Sequence, residues 1–204
     1  MLINSLEECS MFQLLKGRNN AMSTSLSGHL LSMEPTVMNT LEYIKVNFPS
    51  FTEHGIQHSY RITEYVFHIL SEEMQQSLSD IEVFCFIMAS FFHDMGMTLN
   101  NVDDKNKQRE NHHLYAKEPV KKYFDMHMKS IRENKRICKC VSFVCEAHGR
   151  NADELYADED FKKEDSIQGQ SLRYGLLAIL LRIGDLMDME EGRTIEFNMH
   201  FNRS

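Results

Sequence analysis

The segment "FFHDMGMT" places His93 and Asp94 side by side at the end of an almost unbroken apolar run. Adjacent imidazole and carboxylate groups can offer two ligands to one metal site. Four further candidate ligands lie apart from this pair, each next to a segment that reads as a helix: His58, His112, His148 and Asp185. The pattern predicts a metal site at which distant parts of the sequence converge.

The kind of metal follows from the ligand types. Histidine together with carboxylate suits iron, manganese, cobalt or zinc, whereas a site for magnesium alone would be built from oxygen. Six candidates exceed the needs of one tetrahedral ion. The economical arrangement is two divalent ions about 3.5–4 Å apart, bridged by Asp94, with a shared water that becomes a nucleophile at neutral pH.

Each candidate has a simpler interpretation when it is taken alone. A single histidine on an apolar helix face, such as His58 or His148, is more often a core residue than a ligand. Asp185 lies inside "LLRIGDLMDM", where a carboxylate is rarely buried without a partner, and Arg182 or Arg173 could be that partner. Taken jointly, the candidate ligands beside these helices favour a metal site over a set of unrelated core residues.

Composition limits the class of protein. A chain of 204 residues with 42% apolar and 25% charged residues is typical of one soluble globular domain. The net charge of -8 gives no general basic surface for binding duplex nucleic acid, although a local cationic pocket is compatible with it. No segment approaches the roughly 20 apolar residues of a membrane span, and the N-terminus lacks the pattern of a secretory signal. We therefore expect a cytoplasmic protein without a membrane segment.

The cysteines indicate the same compartment. Five cysteines in irregular positions fit reduced thiols better than a disulfide framework. Cys138 and Cys140 are two residues apart, so on a helix their side chains point about 200° apart. Buried or half-buried thiols are therefore favoured over a zinc site.

Three prolines, nine glycines and no sustained alternating pattern predict an all-α bundle. We expect helices over residues 35–48, 58–70, 81–92, 111–124, 137–148 and 171–189. His58 lies one turn before Ile62 on an apolar stripe, so its imidazole should point inward. The helix that ends at His93 is apolar around most of its circumference and should occupy the middle of the bundle.

The organisation of the chain is simple. Residues 1–34 are predicted to be a peripheral, partly flexible segment, with a loose connection at "RNNAMSTSLSG" and a helix that begins at Pro35. Residues 35–204 form the main domain. Within it, residues 149–170 are acidic and polar, which is typical of a solvated excursion or lid.

At this level of detail the chain resembles the HD-domain metal-dependent phosphohydrolase superfamily over roughly residues 51–193. The resemblance is carried by this order of residues: His58 with Ser59, Arg61 and Ile62, then His93-Asp94, then Asp185. It implies an HD-domain helical bundle with the metal in its middle. Members with two metals add one histidine from each intervening helix, for which His112 and His148 are the counterparts. His112 is preferred to His113 because it keeps a four-residue distance to Ala116.

The segments "FTEHGIQHS", "ENHH" and "LLRIGDLMDMEEGR" are similar to HD modules found ahead of GHKL-type ATPase domains. This likeness implies a homo-oligomer or an ATPase-type partner domain. The chain departs from the pattern of known HD hydrolases in two respects: Met97 stands where many of them have lysine, and a Gly-Tyr-Pro signature is absent. The resemblance therefore identifies only the class of substrate.

Further residues have candidate roles beside the ligands. Arg61 could bind a substrate phosphate with its planar fork, or pair with Glu64 or another acid. Arg193 could close over the substrate or lie in solvent. His54 could donate a proton to a leaving oxygen or belong to a loop. His113 could act as an acid or support the ligands.

Three functions remain open at this point. The first is a phosphohydrolase that attacks a nucleotide-type phosphate ester or anhydride with metal-activated water. The second is a mixed-valent di-iron oxygenase, because some members of the superfamily use the same six ligands for that chemistry. The third is a non-catalytic HD module that senses a nucleotide and signals to a partner.

Overall fold

The computed structural model describes residues 2–49 and 55–201, and the side chains of the last helix as far as residue 188. In this part of the chain the helices are, in order, α1 (Ser10–Gly17), α2 (Ala21–Asn47), α3 (Ile56–Ile69), α4 (Glu72–Ser77), α5 (Asp80–Phe92), α6 (Lys105–Glu110), α7 (His112–Tyr115), α8 (Lys117–His127), α9 (Asn134–Ala147), α10 (Ala152–Ala157) and α11 (Tyr174–Phe201). Short 3-10 turns cover Leu6–Glu8 and Met95–Thr98. Within the described residues, strands are limited to an antiparallel hairpin of β1 (Glu164–Ile167) and β2 (Gln170–Arg173). The predicted all-α bundle is confirmed.

Helix α5 occupies the middle of the bundle, and every one of its residues is buried. A capping box fixes its first turn: the Ser79 hydroxyl accepts the Glu82 amide, and the Glu82 carboxylate accepts the Ser79 amide. Helices α2, α3, α9 and α11 all pack against α5. The C-terminal end of α5 therefore brings His93 into the interior, as its apolar sequence predicts.

The stretch Asp80–Thr98 is the one segment of the described chain that is long and apolar enough to cross a membrane. However, 94% of this stretch is buried inside the bundle. Such burial is typical of the core helix of a soluble protein. The cytoplasmic location remains a prediction.

The N-terminal helix boundary differs from the expectation. Helix α2 begins at Ala21 rather than Pro35, because Asn20 and Ser23 form a capping box, with the Asn20 side chain accepting the Ser23 amide at 2.9 Å. The residues that α2 buries recur at helical spacing: Leu26, Leu30, Met33, Val37, Leu41 and Ile44. Their packing outweighs the hydrogen bond that Pro35 cannot make inside the helix. The interpretation of this segment as a loose connection is therefore wrong.

Two carboxylates, one half-buried and one buried, hold the N-terminal residues against the bundle. Glu34 on α2 accepts the Leu6 amide at 2.6 Å, and Glu64 on α3 accepts the Ser10 amide at 2.9 Å. These acids satisfy amides at the start of short helices, which otherwise lack partners. The division of the chain at residue 34 remains a prediction, although it falls inside α2.

The predicted excursion at residues 149–170 contains α10 and β1. Leu155 and Ile167 are both buried, so the segment is attached to the bundle at two points. Its role as a lid remains a prediction.

Candidate metal centre

Close packing of α3 against α11 brings His58 and Asp185 together. An added Cβ at Gly184 would lie 2.9 Å from methyl carbons of Ile62 and Val66, so only glycine allows this approach of the two helices. As a result, His58 Nε2 lies 3.3 Å from Asp185 Oδ1. The imidazole of His58 is buried and points inward, as its position on the apolar stripe predicts.

The adjacent pair lies where α5 ends. His93 follows the last turn of α5, and its Nε2 lies 3.2 Å from His58 Nε2. Asp94 presents its two oxygens in different directions. Oδ2 lies 3.4 Å from His93 Nε2 and 3.6 Å from His58 Nε2. Oδ1 lies 3.2 Å from His112 Nε2. The carboxylate of Asp94 therefore stands between two groups of imidazoles.

His112 and His148 form the second of these groups, with their Nε2 atoms 2.9 Å apart. His148 directly follows α9, and His112 opens α7. The backbone carbonyl of His112 packs on Gly96, where an added Cβ would lie 2.0 Å from the carbonyl oxygen. Gly96 therefore lets α7 approach the turn that follows Asp94.

All four imidazoles share one arrangement of their ring nitrogens. Backbone carbonyls lie 2.5–3.0 Å from the Nδ1 atoms of His93, His112 and His148. The Asp188 carboxylate lies 2.6 Å from Nδ1 of His58. A carbonyl or carboxylate oxygen only accepts, so each Nδ1 carries a proton and each Nε2 faces the interior of the cluster. Histidines that bind metals are held in the same way.

The potential ligand atoms separate into two groups that could each hold a metal ion. One group is His58, His93 and Asp185, and the other is Asp94, His112 and His148. The ligand atoms within each group lie within 4.8 Å of one another. We refer to these six residues as the histidine–aspartate cluster. The structure brings together all six residues that the sequence singled out as ligands.

Burial and the nearby acids shift the pKa values of the histidines in the cluster in opposite directions. Burial disfavours a charged His58, but hydrogen bonds to Asp185 and Asp188 outweigh burial and raise the pKa of His58 to about 10. Burial lowers the pKa of His93 below its ordinary value. Burial, with the nearby His93 and His112, also lowers the pKa of His148. A proton on His58 thus partly balances the acids, and a metal ion would have to displace it.

Asp188 is a site residue that the sequence reasoning missed. Besides His58 Nδ1, its carboxylate accepts Nε of Arg61 at 2.5 Å and Nη2 of Arg61 at 2.9 Å. Asp188 therefore fixes the orientation of the His58 ring, as carboxylates beside metal-binding histidines commonly do. The available signal was its position three residues after Asp185, which places both carboxylates on neighbouring parts of one helix face.

Arg61 consequently forms an ion pair with an acid, although this acid is Asp188 and not Glu64. The Glu64 carboxylate instead holds the start of α1 through Ser10. A role of Arg61 in binding phosphate remains a prediction.

His113 lies beside the cluster without belonging to either group. Its ring centroid is 5.9 Å from that of His112 and 6.0 Å from that of His148. Within the described residues, no hydrogen bond is made by its ring nitrogens, and burial lowers its pKa. The structure therefore places His112, and not His113, in a group that could hold a metal ion.

Three other expectations have different outcomes. His54 and the side chain of Arg193 lie outside the described residues, so their roles remain predictions. Met97 is buried, and its apolar side chain supplies no cation. Cys140 and Cys145 are buried free thiols, and no metal-type group in the described chain includes a cysteine.

Comparison with known families agrees with this geometry. A family model described as HD-CE matches residues 48–203, which include the whole cluster. The chain belongs to the HD-CE family. The predicted resemblance to HD-type domains is thereby confirmed, and the link to GHKL-type ATPases stays a prediction. Searches of curated proteins and of solved structures found no match to this HD-CE chain.

Proposed function

We propose that this HD-CE domain is a metal-dependent phosphohydrolase that acts on a nucleotide-type phosphate ester or anhydride. The observation that carries the proposal is the common orientation of the four imidazoles, whose Nδ1 atoms face outer acceptors while their Nε2 atoms converge with two carboxylates. A buried set of this composition is suited to cations.

The donor set fits two divalent ions of the first transition row, namely iron, manganese, cobalt or zinc, with magnesium as an alternative. Asp94 would bridge them, because its oxygens face different groups of imidazoles. Bound ions of this kind lower the pKa of water and neutralise charge on phosphate oxygens.

The remaining residues have supporting roles in this proposal. Asp188 holds the ring of His58, and Gly184 keeps α11 close enough for Asp185 to reach it. We assign to His113 the transfer of a proton to the leaving oxygen, because its ring nitrogens make no hydrogen bond within the described chain and its ring lies beside that of His112. His54, Arg61 and Arg193 are proposed to contact the substrate or its leaving group.

The partners follow from the same proposal. A small phosphate compound would be the substrate, and the likeness to modules ahead of GHKL-type ATPases supports an ATPase-type partner domain or a homo-oligomer. Neither a membrane nor general binding of duplex nucleic acid belongs to this proposal.

The test is phosphate release from a panel of nucleotides with manganese, iron, cobalt, zinc or magnesium. Asp94→Ala should abolish turnover and reduce metal content, whereas Asp125→Ala, which removes an exposed carboxylate on α8, should leave both unchanged. Activity that survives Asp94→Ala would refute the mechanism.

The same preparation separates the two other candidate functions. Oxygen consumption with iron and no phosphate release would identify the oxygenase. Nucleotide binding without turnover of any kind would identify a sensor.

A further inference from the structure

The hairpin formed by α8, the following turn and α9 is unusually basic for this chain. Residues 117–139 contain eight lysines and arginines against three acids, although the whole chain carries a net charge of -8. Six of these cations form no ion pair within the described chain: Lys117, Lys121, Lys122, Lys129, Arg132 and Lys135. All six of these side chains are exposed. We refer to this surface as the basic hairpin.

The acids near the basic hairpin do not neutralise it. Glu118 and Asp125 are exposed on α8 and lie at ion-pairing spacing from lysines, yet neither forms an ion pair in the described structure. Glu133 pairs with Arg136, which also binds Asp165. The six unpaired cations therefore exceed the two unpaired acids of the same segment.

The basic hairpin begins and ends at the histidine–aspartate cluster. Helix α8 starts five residues after His112, and α9 ends directly before His148. Helices α8 and α9 pack against each other, so their connecting turn lies at the far end, about 21 Å along the 14 residues of α9. Cations thus extend from Lys117 near the cluster to Arg132 at the turn.

A flat ring lies among these cations. The imidazole of His127 is exposed and stacks on Tyr123, with ring centroids 4.8 Å apart and planes inclined by 33°. Exposed rings between basic side chains are the pattern that binds unpaired bases, because any base can stack on them. Large apolar side chains exposed on the described hairpin are limited to Met126, which is too few for insertion into a lipid surface.

We propose that the basic hairpin binds a single-stranded polynucleotide, with phosphates on its cations and a base on His127. The acidic remainder of the chain disfavours the second strand of a duplex, in keeping with the net charge. Binding of the strand at this surface is inferred from the charge and geometry of the hairpin alone. Delivery of a phosphodiester from the bound strand to the histidine–aspartate cluster rests on the proposed function. The proposed binding uses phosphates and a base and needs no contact with the sugar, so RNA and DNA of one sequence should bind equally.

The test is fluorescence anisotropy of the full chain, with and without added Mn²⁺, using labelled single strands of about 12 nucleotides. The variant Lys129→Gln/Arg132→Gln/Lys135→Gln should weaken binding at least about tenfold and reduce the salt dependence of log K by roughly 2. The control Lys16→Gln/Lys45→Gln/Lys162→Gln removes the same charge from other exposed positions and should change binding less than about twofold.

Stacking has a separate variant. His127→Ala removes the ring on which a base would stack and should weaken binding about fivefold or more. Its circular dichroism spectrum and melting temperature should match the wild type, because the ring is exposed.

The outcomes separate this proposal from the proposed function. Oligonucleotide binding that depends on the basic hairpin supports the surface even if no phosphate is released. Phosphate release from nucleotides without oligonucleotide binding overturns the surface and leaves the hydrolase standing. Equal losses in the hairpin and control variants, or equal binding to anionic vesicles or polyglutamate, also overturn the surface.

Discussion

Replacing Gly184 with alanine tests whether the approach of α11 to α3 sets the metal centre. An added Cβ would meet Cγ2 of Ile62 and Cγ2 of Val66 at 2.9 Å and the carbonyl oxygen of Ile62 at 3.2 Å. Both side chains are β-branched and stiff, so the helices must separate by a few tenths of an ångström. Metal sites tolerate errors of about 0.2 Å in ligand distance, so Asp185 would move beyond that limit from His58.

The matched control is Gly28→Ala in α2, where an added Cβ meets nothing within 4 Å. Both substitutions gain about 1 kcal/mol from the higher helix propensity of alanine. Overpacking costs about 1–3 kcal/mol and acts on Gly184→Ala alone. The difference in free energy of unfolding between the two variants therefore isolates the packing cost and should be about 1–3 kcal/mol.

Urea denaturation gives the stabilities, and calorimetric titration with Mn²⁺ gives the metal affinity. We expect Gly28→Ala to be more stable than the wild type with unchanged metal affinity, and Gly184→Ala to bind Mn²⁺ at least about tenfold more weakly. Equal stabilities of the two variants, together with equal metal affinities, would refute the reasoning.

Three other predictions concern named contacts. Asp188→Asn removes the charge that orients His58 and should weaken metal binding about 10–100-fold by titration, and wild-type affinity would contradict this role. Because the pKa of His58 is raised from 6.5 to about 10, the metal-free protein should lose stability as the pH rises between these values. Metal affinity should rise over the same range, because the proton competes with the ion, and a flat profile would contradict this. Glu82→Gln leaves Arg173 without its buried bidentate partner and should destabilise the protein by about 2–4 kcal/mol in urea denaturation.

The sequence was sufficient to locate the central elements of the fold. The apolar stripe after His58 and the apolar run before His93 have helical spacing and correspond to α3 and α5. The N-terminal part was harder, because polar serines hide the apolar stripe of α2 and Pro35 resembles a first-turn proline. Only tertiary packing keeps that helix continuous through the proline.

The candidate ligands were predictable for a similar reason. Histidines and aspartates beside apolar helices are conspicuous, and all six lie together in the structure. Asp188 was not predictable in the same way, because its function is to hold another side chain and "GDLMD" offers two acids of equal appearance. The basic hairpin was hidden by the acidic net charge, which averages over the whole surface.

The carboxylates of Glu34 and Glu64 have a consequence for the choice of expression fragments. The family match starts at residue 48, but α1 and α2 cover α5 and are tied to α3, because Glu34 accepts the Tyr60 hydroxyl and Glu64 accepts the Ser10 amide. A fragment trimmed to the matched residues would uncover the most apolar helix of the protein and leave Glu64 without its Ser10 partner. The unit recognised by sequence comparison is therefore smaller than the unit that packs around α5 in the structure.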